Sequence, residues 1–245
     1  MLNSIEQNVY EQGATILRVQ LSISPKFIRK IALVLCSLVF GLAALSAIFD
    51  VLNLVSQADG GGMEFTLFAL NAEQNVPAWY SSSMRLICAI LLAVIAIAAV
   101  ESGYRRHWMG LSIIFLYLSV DELASIHEKA GSILEERFDT GGFLTYAWVI
   151  PYAFLVFVFV LLYTRFLYNL PANTMLLFVV AGTLFVGGAL GVEMVNGRTD
   201  DLYGGEHLAY LLGSYIEEIF EMLGELTFFY ALLSYIGLHV EEVEL

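Results

Sequence analysis

Charge is what this sequence has least of: 14% of its 245 residues are Asp, Glu, Lys or Arg and 59% are apolar, where a soluble domain carries about 25% charged residues. That balance excludes a water-solvated globule and implies an integral membrane protein, with the lipid bilayer as its first partner. Basic residues are scarcer still, 11 against 24 acidic, for a net charge of −13. A nucleic-acid partner is excluded, because it needs a basic surface, and cations are left as the natural counterpart. The two cysteines, Cys36 and Cys88, both lie in apolar runs; a disulfide framework and a CxxC metal site are excluded, and both read as packing residues. Proline is rare, with four residues. Pro77 and Pro171 precede apolar runs, where a missing N–H is harmless, whereas Pro151 falls inside one and predicts a kink. Repeats and low-complexity segments are absent.

What is present is a series of apolar runs of about 20 residues, long enough to cross a bilayer as helices. Six are read, at roughly 28–49, 79–100, 107–127, 143–165, 173–194 and 208–237. The expected fold is an all-α polytopic membrane bundle of about six transmembrane helices. Residues 1–25 form an N-terminal cytoplasmic or interfacial segment with loose helical spacing, 26–238 the membrane domain, and 239–245 an acidic C-terminal tail. "ADGGGME" at 58–64 reads as an external loop. Lys26, Arg29, Lys30, Arg105, Arg106 and Arg165 fall on one side, against Lys129, Arg137 and Arg198 on the other, so the positive-inside rule places both termini in the cytoplasm. The expected location is a bacterial inner (plasma) membrane. Gly187 and Gly191 have GxxxG spacing, which predicts helix packing.

The ionisable residues are not scattered. On a continuous third helix Tyr117, Asp121, Ser125, Glu128 and Ser132 fall within about 80° of one another, with Glu122 and His127 about 100° to either side. On the sixth, His207, Tyr210, Ser214, Glu217, Glu218 and Glu225 lie within about 60° of Glu221. Asp121, Glu122, Glu217, Glu218, Glu221 and Glu225 would together cost roughly 15–20 kcal/mol facing lipid, more than a fold's usual net stability. They must face one another, water or a cation. Arg85 is the basic residue available within a span to offset one or two of them, as a fixed counter-ion or a snorkelling side chain. Asp50 and Glu193 reach the same level, and Asp200, Asp201 and Glu206 lie above it. The expectation is an acidic cup open to the outside. Toward the cytoplasm only Ser112, Thr227, Tyr230, Ser234 and Tyr235 continue the lining, so the cup is blind-ended within one subunit.

Carboxylates with imidazole fit a divalent metal ion: Zn, Fe, Mn, Ca or Mg. The candidate ligands are Asp121, His127, His207, Glu217, Glu218 and Glu221, with Glu122 or Glu218 as a general base. His107 and His239 read as ordinary interface residues. "DELASIHE" is not HExxH, paired Glu-x-x-His motifs are absent, and the single ExxE of Glu218 and Glu221 lacks the arginine that precedes the iron-permease motif. Three functions fit the pattern: a metal-dependent membrane enzyme acting on a lipid or small molecule, a divalent-cation or proton transporter or channel, and an accessory or sensor subunit. A homo-oligomer or larger membrane complex is compatible with each.

Overall fold

The structure, a computed structural model, describes residues 18–20, 23–58, 66–99, 103–138, 140–205, 207–240 and 242–244. Among these residues the chain is built from helices: α1 (Pro25–Ala58), α2 (Val76–Ala98), α3 (Arg105–Ala124), α4 (Ile126–Phe138), α5 (Val149–Tyr168), α6 (Ala172–Val186), α7 (Glu193–Tyr203) and α8 (Leu208–His239). A π-helical turn over Gly187–Val192 joins α6 to α7 without a break. Two three-residue strands, β1 (Arg18–Gln20) and β2 (Glu242–Glu244), pair antiparallel.

Five stretches are long and apolar enough to cross a membrane: Pro25–Asn53, Val76–Ala98, Val149–Tyr168, Ala172–Tyr203 and Leu208–His239. α3 and α4 pass that test only together, bent by 71°. The β1–β2 ladder puts the approach to α1 beside the exit from α8, and Gly237 packs against the Ile23 carbonyl oxygen. Both ends of the bundle are therefore on one side, which requires an even number of crossings; the bent pair is the sixth.

The third run is thus not one helix. Ser125 adopts a left-handed conformation (φ 53°, ψ 46°) and ends α3. The Asp121 carboxylate Oδ1 then accepts the backbone N–H of His127 (2.8 Å) at the start of α4, and Lys129 Nζ donates to the Ala124 carbonyl (2.6 Å). One acid and one base hold the open helix ends of the bend. The stripe running through Asp121, Ser125, Glu128 and Ser132 on a continuous helix is broken there. Other boundaries shift for local reasons. α1 runs to Ala58, so the predicted loop begins inside it, and residues 59–64 of that loop lie outside the described residues. The fourth span starts at Val149, after a 3-10 turn at Gly142–Leu144 whose Gly142 has φ 66°. Pro151 then falls in the first turn of α5, where no intrahelical N–H is needed, and the expected kink does not arise. Of the N-terminal segment, Arg18–Gln20 is strand rather than helix, because the tail at Glu242–Glu244 offers it a partner; residues 1–17 lie outside the described residues.

α8 is the hub of the bundle, packed against α1, α2, α6 and the π turn. Close approach is made by small residues. Ser82 and Ser119 each donate a hydroxyl to the other's backbone carbonyl (both 2.8 Å), joining α2 to α3. The GxxxG pair does not serve this purpose: nothing lies within 4 Å of a Cβ at Gly187 or Gly191, whereas one at Gly188 would meet the Glu217 carbonyl oxygen at 2.9 Å. The π turn rotates Gly188 toward α8 in their place. A Cβ at Gly224 would sit 2.7 Å from the Phe185 nitrogen and 2.9 Å from the Ala181 oxygen, both backbone. Gly224→Ala is therefore expected to lower stability by about 1–3 kcal/mol, since backbone must give way, while Gly187→Ala is silent. Thermal unfolding in detergent checks both, and equal effects would contradict this packing.

Candidate metal centre and its arginine hub

Two clusters of ionisable residues stand side by side. The deeper one is organised by Arg85 on α2, 5% exposed. Its Nη1 donates to Glu122 Oε2 of α3 (2.7 Å), its Nη2 to Glu221 Oε2 of α8 (3.0 Å), and its Nε to Glu225 Oε1 of α8 (2.5 Å). The guanidinium also lies over the Phe185 ring, 5.1 Å from its centroid. Arg85 is the fixed counter-ion of the cup and not a snorkelling side chain. Through it the polar sides of α3 and α8 meet. One cation thus faces three carboxylates, and Glu218 stands within electrostatic reach of Glu221, Glu122 and Arg85. Toward the β1–β2 end, below this hub, the core is apolar, with Leu92, Ile95, Ala96, Trp108, Leu232 and Ile236 all buried. Ser112 and Thr227 donate their hydroxyls to the backbone carbonyls of Ala89 and Leu223. The blind end expected from the sequence is a packed one.

The shallower cluster is centred on His127 at the start of α4. Its Nδ1 lies 3.4 Å from Asp121 Oδ2, and its Nε2 lies 3.6 Å from Glu73 Oε1. Asp121 is 3% exposed and its Oδ2 also accepts the Tyr152 hydroxyl (2.9 Å). Since Tyr152 spends its proton there, its oxygen accepts from Tyr117 (2.7 Å). Trp148 and Tyr152 pack edge-on around the imidazole, with Trp148 4.9 Å away. One ligand atom from each of Glu73, His127 and Glu128 falls within 4.8 Å of the others. Glu73 Oε2 is buried without a hydrogen-bond partner.

Burial first, and the neighbouring Glu128 charge second, raise the Glu73 carboxyl from 4.5 to about 7, against a lowering by His127. A carboxyl so raised holds a proton in the folded state that the unfolded chain has released, so its contribution to stability falls as pH rises through that window. Metal-free protein is expected to lose thermal stability between pH 5 and pH 8, and Glu73→Gln to flatten that slope; melting curves at the two pH values check it. A slope unchanged in the variant would refute the assignment.

The sequence-predicted residues are divided between these clusters and a third contact. Asp121 and His127 belong to the shallow cluster, and Glu122, Glu218 and Glu221 to the hub. Glu217 accepts from Asn196 Nδ2 (2.9 Å), and Asn196, 1% exposed, packs onto Gly213. Nearby, Glu193 Oε1 accepts the Trp148 indole N–H (3.2 Å), and the Tyr146 hydroxyl lies between Asp200 Oδ2 (3.1 Å) and the Tyr210 hydroxyl (3.2 Å). Asp50 accepts the Tyr215 hydroxyl (2.5 Å). Glu206 lies outside the described residues. His207 joins neither cluster: it is the N-cap of α8, its Nδ1 accepting the Ala209 N–H (3.2 Å) while its ring stacks on Tyr203. Sequence reasoning missed Glu73 because it sits in the turn before α2, where no periodicity marks it. Its one signal is position, two residues ahead of the Asn75 cap, at the start of a span.

A family model described as "Domain of unknown function (DUF8692)" matches residues 31–236. The chain belongs to this family. No match was found among curated proteins or solved structures. The matched stretch takes in Glu73, Arg85, His127 and every other member of both clusters.

Proposed function

We propose that this membrane protein holds a divalent metal ion on His127, Glu73 and Glu128, at the extracytoplasmic end of the bundle, and acts as a metal-dependent enzyme on a lipid or small molecule. One observation carries the reading: the two His127 nitrogens face carboxylates on opposite sides. Asp121 accepts only, so a hydrogen bond to it puts the proton on Nδ1 and turns the Nε2 lone pair toward Glu73. The Nε2 lone pair and the Glu73 carboxylate, 3.6 Å apart, need a proton or a cation between them; in the metal-free protein the proton held by Glu73 fills that place, and a metal ion would displace it. Bonds of about 2.1 Å at a tetrahedral angle separate two ligand atoms by about 3.4 Å. The orienting carboxylate behind a ligating histidine is the usual outer shell of such a centre, and on this reading it is Asp121's role. An imidazole with two carboxylates suits Zn²⁺, Fe²⁺ or Mn²⁺ better than Ca²⁺ or Mg²⁺, which prefer all-oxygen sites.

Three protein ligands, one of them the exposed Glu128, leave a coordination position for water or substrate, as catalytic sites do. When bound, such a metal supplies Lewis acidity and an activated water. Glu122 stands between the clusters, bonded to Arg85 and within electrostatic reach of His127, which keeps it the candidate base; Glu218 lies deeper. The apolar packing beneath the hub supports catalysis over permeation. Elemental analysis of the detergent-purified protein is expected to find about one transition-metal ion per chain. Metal-free wild type that also fails to bind added Zn²⁺, Fe²⁺ or Mn²⁺ would refute the proposal. Zn²⁺ or Mn²⁺ flux into liposomes carrying the protein would overturn the enzymatic reading in favour of transport.

A further inference from the structure

At the opposite end of the bundle, a groove of about 500 Å³ opens between the start of α3 and the end of α5, lined by Gly103, Tyr104, His107, Leu162 and Arg165. Its chemistry is the reverse of the cup's. In a chain with 24 acidic residues, none of the described residues that line it is acidic. Arg165 is exposed in the last turn of α5, and Arg105 and Arg106 stand exposed in the first turn of α3.

Tyr104 gives α3 no side-chain cap, so the positive end of that helix dipole is open to the groove. His107 brings its imidazole to the same place. The ring is clamped by Tyr104, Tyr163 and Phe166, at centroid distances of 5.4, 5.5 and 5.3 Å, and its Nδ1 is buried with no hydrogen-bond partner. The Arg165 guanidinium, the only charged side chain among the described lining residues, and the uncapped start of α3 give this groove a positive end that suits an anion.

The groove also has an apolar side. Leu162 is 64% exposed, and it continues an exposed row on α5 with Leu161, Leu155 and Phe154. An occupant carrying one anionic group and a long apolar tail matches both halves; a purely ionic one leaves the leucines bare. We propose that this groove seats the phosphate headgroup of an anionic phospholipid, with Arg165 as its principal contact and an acyl chain laid along α5. The inference is independent of the metal site.

The test reconstitutes full-length protein in nanodiscs or mild detergent and compares binding of phosphatidylglycerol and phosphatidylcholine of identical acyl chains by native mass spectrometry. Phosphatidylglycerol is expected to be retained preferentially. Arg165→Gln should weaken its retention about fivefold, the effect of one basic residue at an anionic membrane surface, and leave phosphatidylcholine unchanged. Arg137→Gln, which removes an exposed charge at the other end of the bundle, should change neither. Both variants alter exposed side chains, and melting curves confirm that they fold. Equal retention of the two lipids, or an Arg165→Gln variant indistinguishable from wild type, would overturn the proposal. So would displacement by inorganic phosphate at millimolar concentration, which would mark a free-phosphate site instead.

Discussion

Arg85→Leu is expected to prevent stable folding or to cost about 3–5 kcal/mol, the penalty for removing one partner of a buried ion pair and leaving the other charged. Here the penalty falls at the upper end, because Glu122, Glu221 and Glu225 all lose their partner at once. Arg85→Lys should rescue little of it. An ammonium presents three donors from one point, whereas the guanidinium spreads Nε, Nη1 and Nη2 toward acids on two different helices. Neutralising the opposite charges should do better: adding Glu225→Gln and Glu122→Gln to Arg85→Leu removes most of the unpaired charge and is expected to recover part of the loss. Thermal unfolding in detergent and the yield of monodisperse protein measure the series. An Arg85→Leu protein as stable as wild type would show that the three carboxylates have no need of it.

The second large effect is expected at His127. His127→Ala removes the only nitrogen ligand and should abolish stoichiometric metal. Asp121→Asn keeps every ligand but weakens the bond that fixes the Nδ1 tautomer, and a 10–100-fold loss of metal affinity is the usual consequence of such an outer-shell change. His207→Ala should leave affinity unchanged and cost only the fraction of a kcal/mol to about 2 kcal/mol that helix caps contribute, since its Nδ1 serves the α8 backbone. Binding isotherms with Zn²⁺ separate the three. Metal at 100 times its dissociation constant should also stabilise wild type by about 2.7 kcal/mol and His127→Ala not at all. Loss of binding in His207→Ala equal to that in His127→Ala would place the ion elsewhere in the cup.

The two results bear on different parts of the molecule. The Arg85 hub ties α2, α3 and α8 together, since its donors are spent on carboxylates within the bundle. The His127 cluster keeps an unmatched oxygen on Glu73 and an exposed acid in Glu128, and those are the features that a ligand would complete.

How much of this was legible in the residues differs between the clusters. The stripe on α8 is a property of one uninterrupted helix, so the angular positions of Glu217, Glu218, Glu221 and Glu225 follow from spacing, and the cost of facing lipid forces them inward. The same reasoning fails for α3, because it assumes that the helix continues through Ser125. A serine with positive φ carries no sequence signal as strong as a glycine would, yet it turns the chain through 71°. The turn brings His127, which a continuous helix would place well off the stripe, back against Asp121.

By itself the sequence determined the solvent and the sign of the chemistry: a bundle in lipid, with acids that must be turned inward and a shortage of cations to meet them. Those conclusions depend on residue type and on the energy of transfer into hydrocarbon, which is local. Which acid meets which partner was decided only by tertiary structure. Arg85 chooses among four carboxylates by the directions of its donors, and Glu73 reaches His127 from a turn more than fifty residues earlier. Such pairings are set by how the helices cross and where they bend, and no spacing along one helix contains that information.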